Sequence, residues 1–158
     1  MKRRDSVCVG LAEYVVVDDG RTLLAPGIGS CVVLALFDGA VAGMAHVMLP
    51  EANGKPVDSP AKYADTAIPA MLATMDECGA DPDGIEAKIA GGSAIFGFEG
   101  VGADVGLRNV ETIREQLSVR EIPLIAEDVE GDYGRTIAFD TETGTLTIRT
   151  ADGTPRKL

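Results

Sequence analysis

Several residue types are scarce in this 158-residue sequence, and each scarcity excludes a class of protein. Tryptophan is missing, histidine occurs once, and 14 Lys plus Arg stand against 25 Asp plus Glu. A nucleic-acid-binding protein needs a cationic surface to displace counterions from phosphates, whereas the basic residues cluster only at 2–4 and 155–157. The net charge of −11 therefore argues against a nucleic-acid partner and against binding to an anionic membrane surface.

Long apolar runs and paired cysteines are also missing. No run approaches the ~18 consecutive apolar residues of a membrane span, and the apolar stretch after the basic start is too interrupted for an export signal. The sequence has an odd number of cysteines, Cys8, Cys31 and Cys78, and none of them has CxxC spacing. With a single histidine, they are a poor set of ligands for a zinc ion. We therefore expect a cytoplasmic, reduced protein with no metal, no cofactor and no membrane insertion.

The apolar content is sufficient for one well-buried core. Residues of the apolar types make up 46% of the chain, which at this length favours a single domain. We expect that domain to span 1–158, with its core at about 7–150 and a frayed tail at 151–158.

Hydrophobic periodicity predicts an α/β protein of the α+β type. Strands are predicted at 7–16, 31–37, 41–49, 85–89, 122–127, 135–140 and 145–150, and helices at 64–78 and 109–119. Gly79 is expected to end the first helix and Asn109 to cap the second, while Pro69 should remove one hydrogen bond from the first. Glycine-rich loops are predicted at 25–30 and from Gly91 to Gly106.

The sequence Asp38-Gly39 predicts a two-residue hairpin turn between two apolar strands. A turn centred there pairs residues whose numbers sum to about 77, which places Cys31 opposite His46. Directly opposed residues share a face with Cβ atoms ~4.5–5.5 Å apart, so a thiol and an imidazole can meet. A slip of one residue would move them to different faces.

This juxtaposition predicts a cysteine nucleophile with a histidine base. The backbone N–H groups of Gly29, Ser30 and Cys31 lie where a loop enters a strand and can hold an oxyanion. His46 within hydrogen-bond reach would lower the Cys31 pKa and pass the proton to a leaving group. A cysteine that opens an apolar strand is nevertheless often a small core residue, as we expect for Cys8 and Cys78, and His46 can equally be a buried structural histidine.

Six motifs, in order along about residues 7–150, resemble the CheD family of chemoreceptor glutamine deamidases. They are Gly-Ile-Gly-Ser-Cys31, Gly43-Met-Ala-His46-Val-Met-Leu-Pro50, Lys62-Tyr-Ala-Asp65, Ala87-Lys-Ile-Ala-Gly-Gly92, Gly106-Leu-Arg-Asn109, and Gly134-Arg-Thr136 with Phe139 and Thr143-Gly144.

This resemblance implies a chemistry, a fold and partners. The chemistry is hydrolysis of glutamine side-chain amides in methyl-accepting chemoreceptors, with ammonia released through a thioester and Cys31 and His46 as nucleophile and base. The implied fold has layered mixed sheets with two main helices, like the cysteine-hydrolase fold of deamidating bacterial toxins. The implied partner besides the receptors is a CheC-type chemotaxis phosphatase.

The sequence departs from the family pattern at the third catalytic group. Family members often carry a threonine six residues before the cysteine to orient the histidine, and Ala25 stands there. Thr22 and Ser30 are nearby hydroxyls at other positions, so the orienting role is open to a backbone carbonyl or another side chain. Two hypotheses follow: a deamidase, favoured by Cys31 and His46, or a regulatory module that docks a CheC-type phosphatase, favoured by Ala25.

Overall fold

The computed structural model describes residues 5–94 and 104–158. Within these residues the α-helices are α1 (Ala64–Glu77) and α2 (Val105–Val119), and short 3-10 helices cover Pro60–Lys62 and Pro82–Gly84. The strands are β1 (Val7–Cys8), β2 (Tyr14–Val17), β3 (Thr22–Ile28), β4 (Val32–Phe37), β5 (Ala42–Val47), β6 (Glu86–Gly91), β7 (Leu124–Val129), β8 (Arg135–Asp140), β9 (Thr145–Arg149) and β10 (Arg156–Lys157). No helix in this part of the chain is long and apolar enough to cross a membrane.

The strands of the described residues form two mixed sheets of five strands each. The central sheet has the order β2-β5-β4-β6-β7, and the outer sheet has the order β1-β3-β8-β9-β10. Most neighbours are antiparallel, but β6 pairs with β7, and β1 with β3, in parallel. Both helices pack on one face of the central sheet and the outer sheet packs on the other. The predicted α+β architecture, with two helices and mixed sheets, is confirmed.

Strand β4 is buried on both faces. Val32 and Leu34 contribute to the core between the central sheet and the helices, whereas Val33 and Ala35 contribute to the core between the two sheets. The residues on both faces of β4 therefore have apolar surroundings, which is why the sequence of this strand is a continuous apolar run. The prediction of a buried strand at 31–37 is confirmed for Val32–Phe37.

The amino-terminal part of the chain differs from the prediction. The single strand predicted at 7–16 is two strands in different sheets, β1 and β2, joined by a turn at which Ala12 has φ 60°. The predicted loop at 25–30 is largely strand β3, whose pairing with β8 is shifted between Ala25 and Ile28. Pro26 lies in this bulge, where a strand tolerates a residue without an N–H, and the alternation is lost there.

The predicted helices form with altered limits. Helix α1 spans Ala64–Glu77 with Pro69 inside it, and Gly79 follows with φ 87°. Helix α2 begins four residues earlier than predicted, so Asn109 is inside the helix and is not its cap. Most of the predicted glycine-rich loop, at 95–103, and the basic cluster at 2–4 lie outside the described residues.

The end of the chain also differs from the expectation of a frayed tail. Arg156 pairs with Ile148, which makes β10 an edge strand of the outer sheet. Leu158 and Leu146 exchange two backbone hydrogen bonds, and Lys88 donates from Nζ to the Leu158 carbonyl at 2.8 Å.

Two glycines bring β6 and α2 into close contact. Gly92 follows β6 with φ 71°, and a Cβ at Gly106 would lie 2.5 Å from the Gly92 carbonyl oxygen and 2.7 Å from the Ser93 carbonyl oxygen. These neighbours are backbone atoms, which cannot move aside as a side chain can. Because Gly106 has no Cβ, the first turn of α2 approaches the end of β6 more closely than any other residue at this position would permit.

We predict that Gly106→Ala destabilises the protein by about 1–3 kcal/mol because the added methyl overlaps backbone, and that this exceeds the helix-propensity gain of alanine. The free energy of unfolding from urea denaturation measures the effect. Gly153→Ala is the matched control, since a Cβ there meets nothing within 4 Å, and it should change stability by less than about 0.5 kcal/mol. Equal stability of the two variants would contradict the packing argument.

Candidate active site

Cys31 lies directly before β4, after a short loop from the end of β3. Its side chain is partly buried and packs against the core between the two sheets. Two backbone hydrogen bonds fix the loop to the end of β6: the Gly92 N–H donates to the Cys31 carbonyl at 2.8 Å, and the Ser93 N–H donates to the Gly29 carbonyl at 3.0 Å. The thiol is therefore presented from a short, restrained segment.

His46 lies in β5 and is 6% exposed. Its backbone is held by the turn before β2, because its N–H donates to the Glu13 carbonyl at 2.9 Å and its carbonyl accepts from the Ala12 N–H at 3.1 Å. Alternation along β5 places its ring on the face of Ala42 and Met44, which is the face toward the outer sheet. Cys31 packs on the same face.

The predicted register of Cys31 and His46 is wrong by two residues. Val33 pairs with His46, so the position opposite Cys31 is that of Met48. The reason is a longer turn, in which Oδ1 of Asp38 accepts from the Val41 N–H at 2.7 Å and closes a four-residue loop. Because side chains alternate with period two, a shift of two keeps both residues on one face. His46 is thus a diagonal neighbour of Cys31. Residues in this relation are typically ~7–8 Å apart, with their Cβ atoms somewhat closer.

No hydrogen bond joins the Cys31 thiol to the His46 imidazole, and burial favours the neutral form of each group. Burial raises the pKa of the Cys31 thiol, and a contact with its own backbone N–H offsets this only in part. Burial lowers the pKa of the His46 imidazole, against the opposing effects of the Val9 backbone and the Glu13 charge. The direction of the Cys31 shift is thus opposite to the expectation that His46 lowers the Cys31 pKa.

The position of the missing threonine is in the core. Ala25 is fully buried in β3 opposite Ile137 and belongs to the same inter-sheet core that Cys31 contacts. The Nδ1 atom of His46 is buried and has no hydrogen-bond partner among the described residues. Thr22 pairs with Asp140 at the other end of β3 and is not near a matching position. The orienting role thus has no side chain assigned to it.

The other two cysteines are not core residues. Cys8 and Cys78 are both exposed, and all three cysteines are free thiols. Cys8 lies in a two-residue strand, and Cys78 follows the last residue of α1. In both cases the core ends before the apolar pattern of the sequence does. The prediction that both are buried is wrong.

Asn109 is a site residue that the sequence analysis placed incorrectly. It is completely buried on α2, and its Nδ2 donates to the Ser30 carbonyl and to the Met48 carbonyl, each at 3.0 Å. The Ser30 carbonyl belongs to the loop Gly29–Cys31, and the Met48 carbonyl lies directly after β5, the strand that carries His46. The available signal was its spacing: Asn109 is four residues before Ile113 and so lies on the apolar face of the helix.

Arg135, in β8 of the outer sheet, supports the loop Gly29–Cys31 that precedes β4. No role for Arg135 was predicted from the sequence. Its guanidinium is buried and donates to Ser93 Oγ at 2.7 Å, to Asp128 Oδ1 at 3.0 Å and to the Glu130 carbonyl at 2.8 Å. Because the Ser93 N–H holds the Gly29 carbonyl, this network fixes the segment that precedes Cys31. An arginine that opens an apolar strand was the visible signal.

Comparisons with known proteins identify the family of this chain. The family model described as "CheD chemotactic sensory transduction" matches residues 48–150, which begin after Cys31 and His46. A protein of Geobacillus kaustophilus named "Probable chemoreceptor glutamine deamidase CheD" is 45% identical, over 96% of each chain. A protein of the same name from Haloarcula marismortui is 39% identical, over 94% of this chain and 87% of its own.

Among solved structures, the crystal structure of Bacillus licheniformis hypothetical protein YfiH matches with a TM-score of 0.45 at 16% identity, over 73% of this chain and 49% of that one. The family model covers more than half of the chain, and the two relatives cover nearly all of it. On these matches, this chain belongs to the CheD family.

Proposed function

We propose that this chain hydrolyses the side-chain amide of specific glutamines in methyl-accepting chemoreceptors to glutamate, through a thioester on Cys31. The observation that carries the proposal is the placement of Cys31 and a neutral His46 on one face at the same end of β4 and β5. Relatives at 39% and 45% identity bear a name that specifies this reaction. A chemotaxis role follows from the same family.

Acylation begins with transfer of the thiol proton to His46. The neutral imidazole can accept this proton, and the sulfur then attacks the carboxamide carbon of the bound glutamine. The oxygen of the tetrahedral intermediate becomes an anion, which the backbone N–H groups at Gly29, Ser30 and Cys31 stabilise. His46 returns the proton to the amide nitrogen, the C–N bond breaks, and ammonia leaves.

Deacylation repeats these steps with water. His46 takes a proton from a water molecule, whose oxygen attacks the thioester carbon, and the C–S bond then breaks with return of the proton to sulfur. The sum is one amide plus one water, converted to one carboxylic acid plus one ammonia. Neither cofactor nor metal is needed for this balance, because Cys31 and His46 supply the nucleophile and the proton transfers.

Burial of the site determines at which stage of the reaction the Cys31 thiol loses its proton. Desolvation raises the pKa of Cys31 and lowers that of His46, so both effects oppose formation of a thiolate–imidazolium pair at rest. A diagonal separation also leaves the two groups out of contact until substrate is present. We infer that ionisation occurs as the glutamine binds, when the sulfur and the imidazole are brought together.

The reaction is assigned to the cytoplasm. Cys8, Cys31 and Cys78 are all free thiols, which is the ordinary state of cysteines in a reducing compartment. An unprotected thiol nucleophile also depends on such a compartment, because oxidation would inactivate it.

A second candidate function is docking of a CheC-type phosphatase. Two observations favour it: Ala25 offers His46 no hydroxyl, and Nδ1 of His46 has no partner among the described residues. A histidine that no side chain orients makes a slower catalyst, and a slow site can still present a binding surface. In this alternative the chain would modulate dephosphorylation of the response regulator through its phosphatase partner.

Substitution of the nucleophile tests the proposal. Cys31→Ala should abolish the ~1 Da mass gain of receptor glutamines, because a thioester route has no substitute for the sulfur. Mass spectrometry of receptor cytoplasmic fragments measures this gain, and Cys78→Ala, at an exposed thiol, is the control that keeps full activity. Wild-type turnover in Cys31→Ala would refute the mechanism. An inactive wild type that binds a CheC-type phosphatase would establish the second candidate.

The pH dependence of alkylation tests the neutral resting pair. Thiolate is the reactive form, and since burial raises the pKa of Cys31, its thiolate fraction should increase only above the pH at which an exposed thiol ionises. Iodoacetamide should therefore label Cys31 more slowly than Cys78 at pH ~7, with its rate midpoint at higher pH than ~8.5. Peptide mapping after timed quenching gives both rates. Faster labelling of Cys31 at neutral pH would indicate a preformed ion pair.

A further inference from the structure

Asn109 joins the two strands that carry the proposed catalytic pair. Its side-chain amide donates one hydrogen bond to the Ser30 carbonyl and one to the Met48 carbonyl, each at 3.0 Å. Ser30 directly precedes Cys31, and Met48 is two residues beyond His46. A primary amide has two N–H donors on one nitrogen, and both are used here on backbone carbonyls.

The hydrogen bond to Ser30 fixes one peptide plane. The Ser30–Cys31 peptide bond is trans, so its carbonyl and the Cys31 N–H point in opposite directions. Helix α2 packs on one face of the central sheet, whereas Cys31 packs on the opposite face, toward the outer sheet. With the Ser30 carbonyl directed to Asn109, the Cys31 N–H is directed away from α2, to the side on which the sulfur and the His46 ring lie.

One further observation on the Cys31 N–H agrees with this direction. Among the described residues, no backbone carbonyl accepts from it, whereas the Cys31 carbonyl is bonded to Gly92. The N–H is therefore available beside the nucleophile, which is where a tetrahedral intermediate would place its oxygen.

The side-chain amide of Asn109 lowers the stability of the fold through its buried oxygen. Its Oδ1 atom is buried and has no hydrogen-bond partner among the described residues, although the residue is completely enclosed. A buried acceptor without a partner destabilises a fold, so an apolar residue would be favoured if stability alone were at stake. This cost argues that the two donated bonds serve the site.

We propose that Asn109 is a positioning residue, which holds the Ser30–Cys31 peptide so that the Cys31 N–H donates to the oxyanion of the tetrahedral intermediate. The inference deepens the proposed deamidase function and rests on it. Asn109 does not touch the substrate; it acts through the peptide it orients. Its bond to the Met48 carbonyl keeps this peptide at a fixed place relative to the histidine strand.

The test compares acyl transfer with alkylation in the same variants. Deamidation passes through an oxyanion, whereas attack of the Cys31 thiolate on the carbon of iodoacetamide does not. Loss of one oxyanion donor lowers kcat ~10²–10³-fold, so its misorientation in Asn109→Ala should lower kcat by at least ~10-fold. KM and the alkylation rate of Cys31 should stay within about twofold of wild type, because binding and thiol ionisation are untouched.

Matched variants separate this effect from a general loss of packing. Thr112→Ala removes polar atoms from another buried position of α2 and should leave kcat and alkylation within about twofold of wild type. Asn109→Asp should lower kcat at least as much as Asn109→Ala, since a carboxylate would face two carbonyl oxygens. If Asn109→Ala does not fold by circular dichroism, Asn109→Leu, which has no donor and leaves a smaller cavity than alanine, replaces it under the same criteria.

Two results would overturn the inference alone. One is a kcat of Asn109→Ala within about twofold of wild type while Cys31→Ala is inactive. The other is an equal fall of kcat and of the alkylation rate, which would mean that the loop has moved as a whole. Wild-type deamidation by Cys31→Ala would instead refute the proposed function, and the inference with it.

Discussion

The attachment of the Gly29–Cys31 loop to the end of β6 is the interaction on which the site depends. Gly92 and Ser93 donate their N–H groups to the carbonyls of Cys31 and Gly29, and a Cβ at Gly91 would lie 2.4 Å from the Cys31 carbonyl oxygen. Arg135 supports Ser93 from the outer sheet, and α2 contacts the same region from the other side. Cys31, the proposed nucleophile, thus lies where all three layers meet.

This position explains the electrostatic state of the proposed pair. Strands β4 and β5 are covered on both faces. Desolvation raises the pKa of the Cys31 thiol and lowers that of the His46 imidazole, which favours the neutral form of each group. In the mechanism that we propose, catalysis then depends on groups that stabilise charge as it develops, and these are the backbone N–H groups of the Gly29–Cys31 loop.

The sequence was sufficient for the features that depend on local patterns. The apolar run of β4 and the helix α1 with Gly79 at its end follow from periodicity. The predicted shared face of Cys31 and His46 holds only because the register differs from the prediction by an even number of residues. The register itself did not follow from the sequence, because Oδ1 of Asp38 closes a four-residue turn that resembles a two-residue turn in sequence. The contacts of Asn109 were also out of reach, since they join carbonyls 61 and 79 residues away.

The central claim is that a receptor glutamine is acylated onto Cys31 before it is hydrolysed. The most direct measurement is mass spectrometry of the intact protein and its peptides after brief incubation with a receptor fragment and quenching in acid. The account predicts a covalent adduct on the peptide that contains Cys31, with the mass of the substrate less one ammonia. Accumulation of deamidated product with no adduct at Cys31, or with an adduct at another residue, would contradict it.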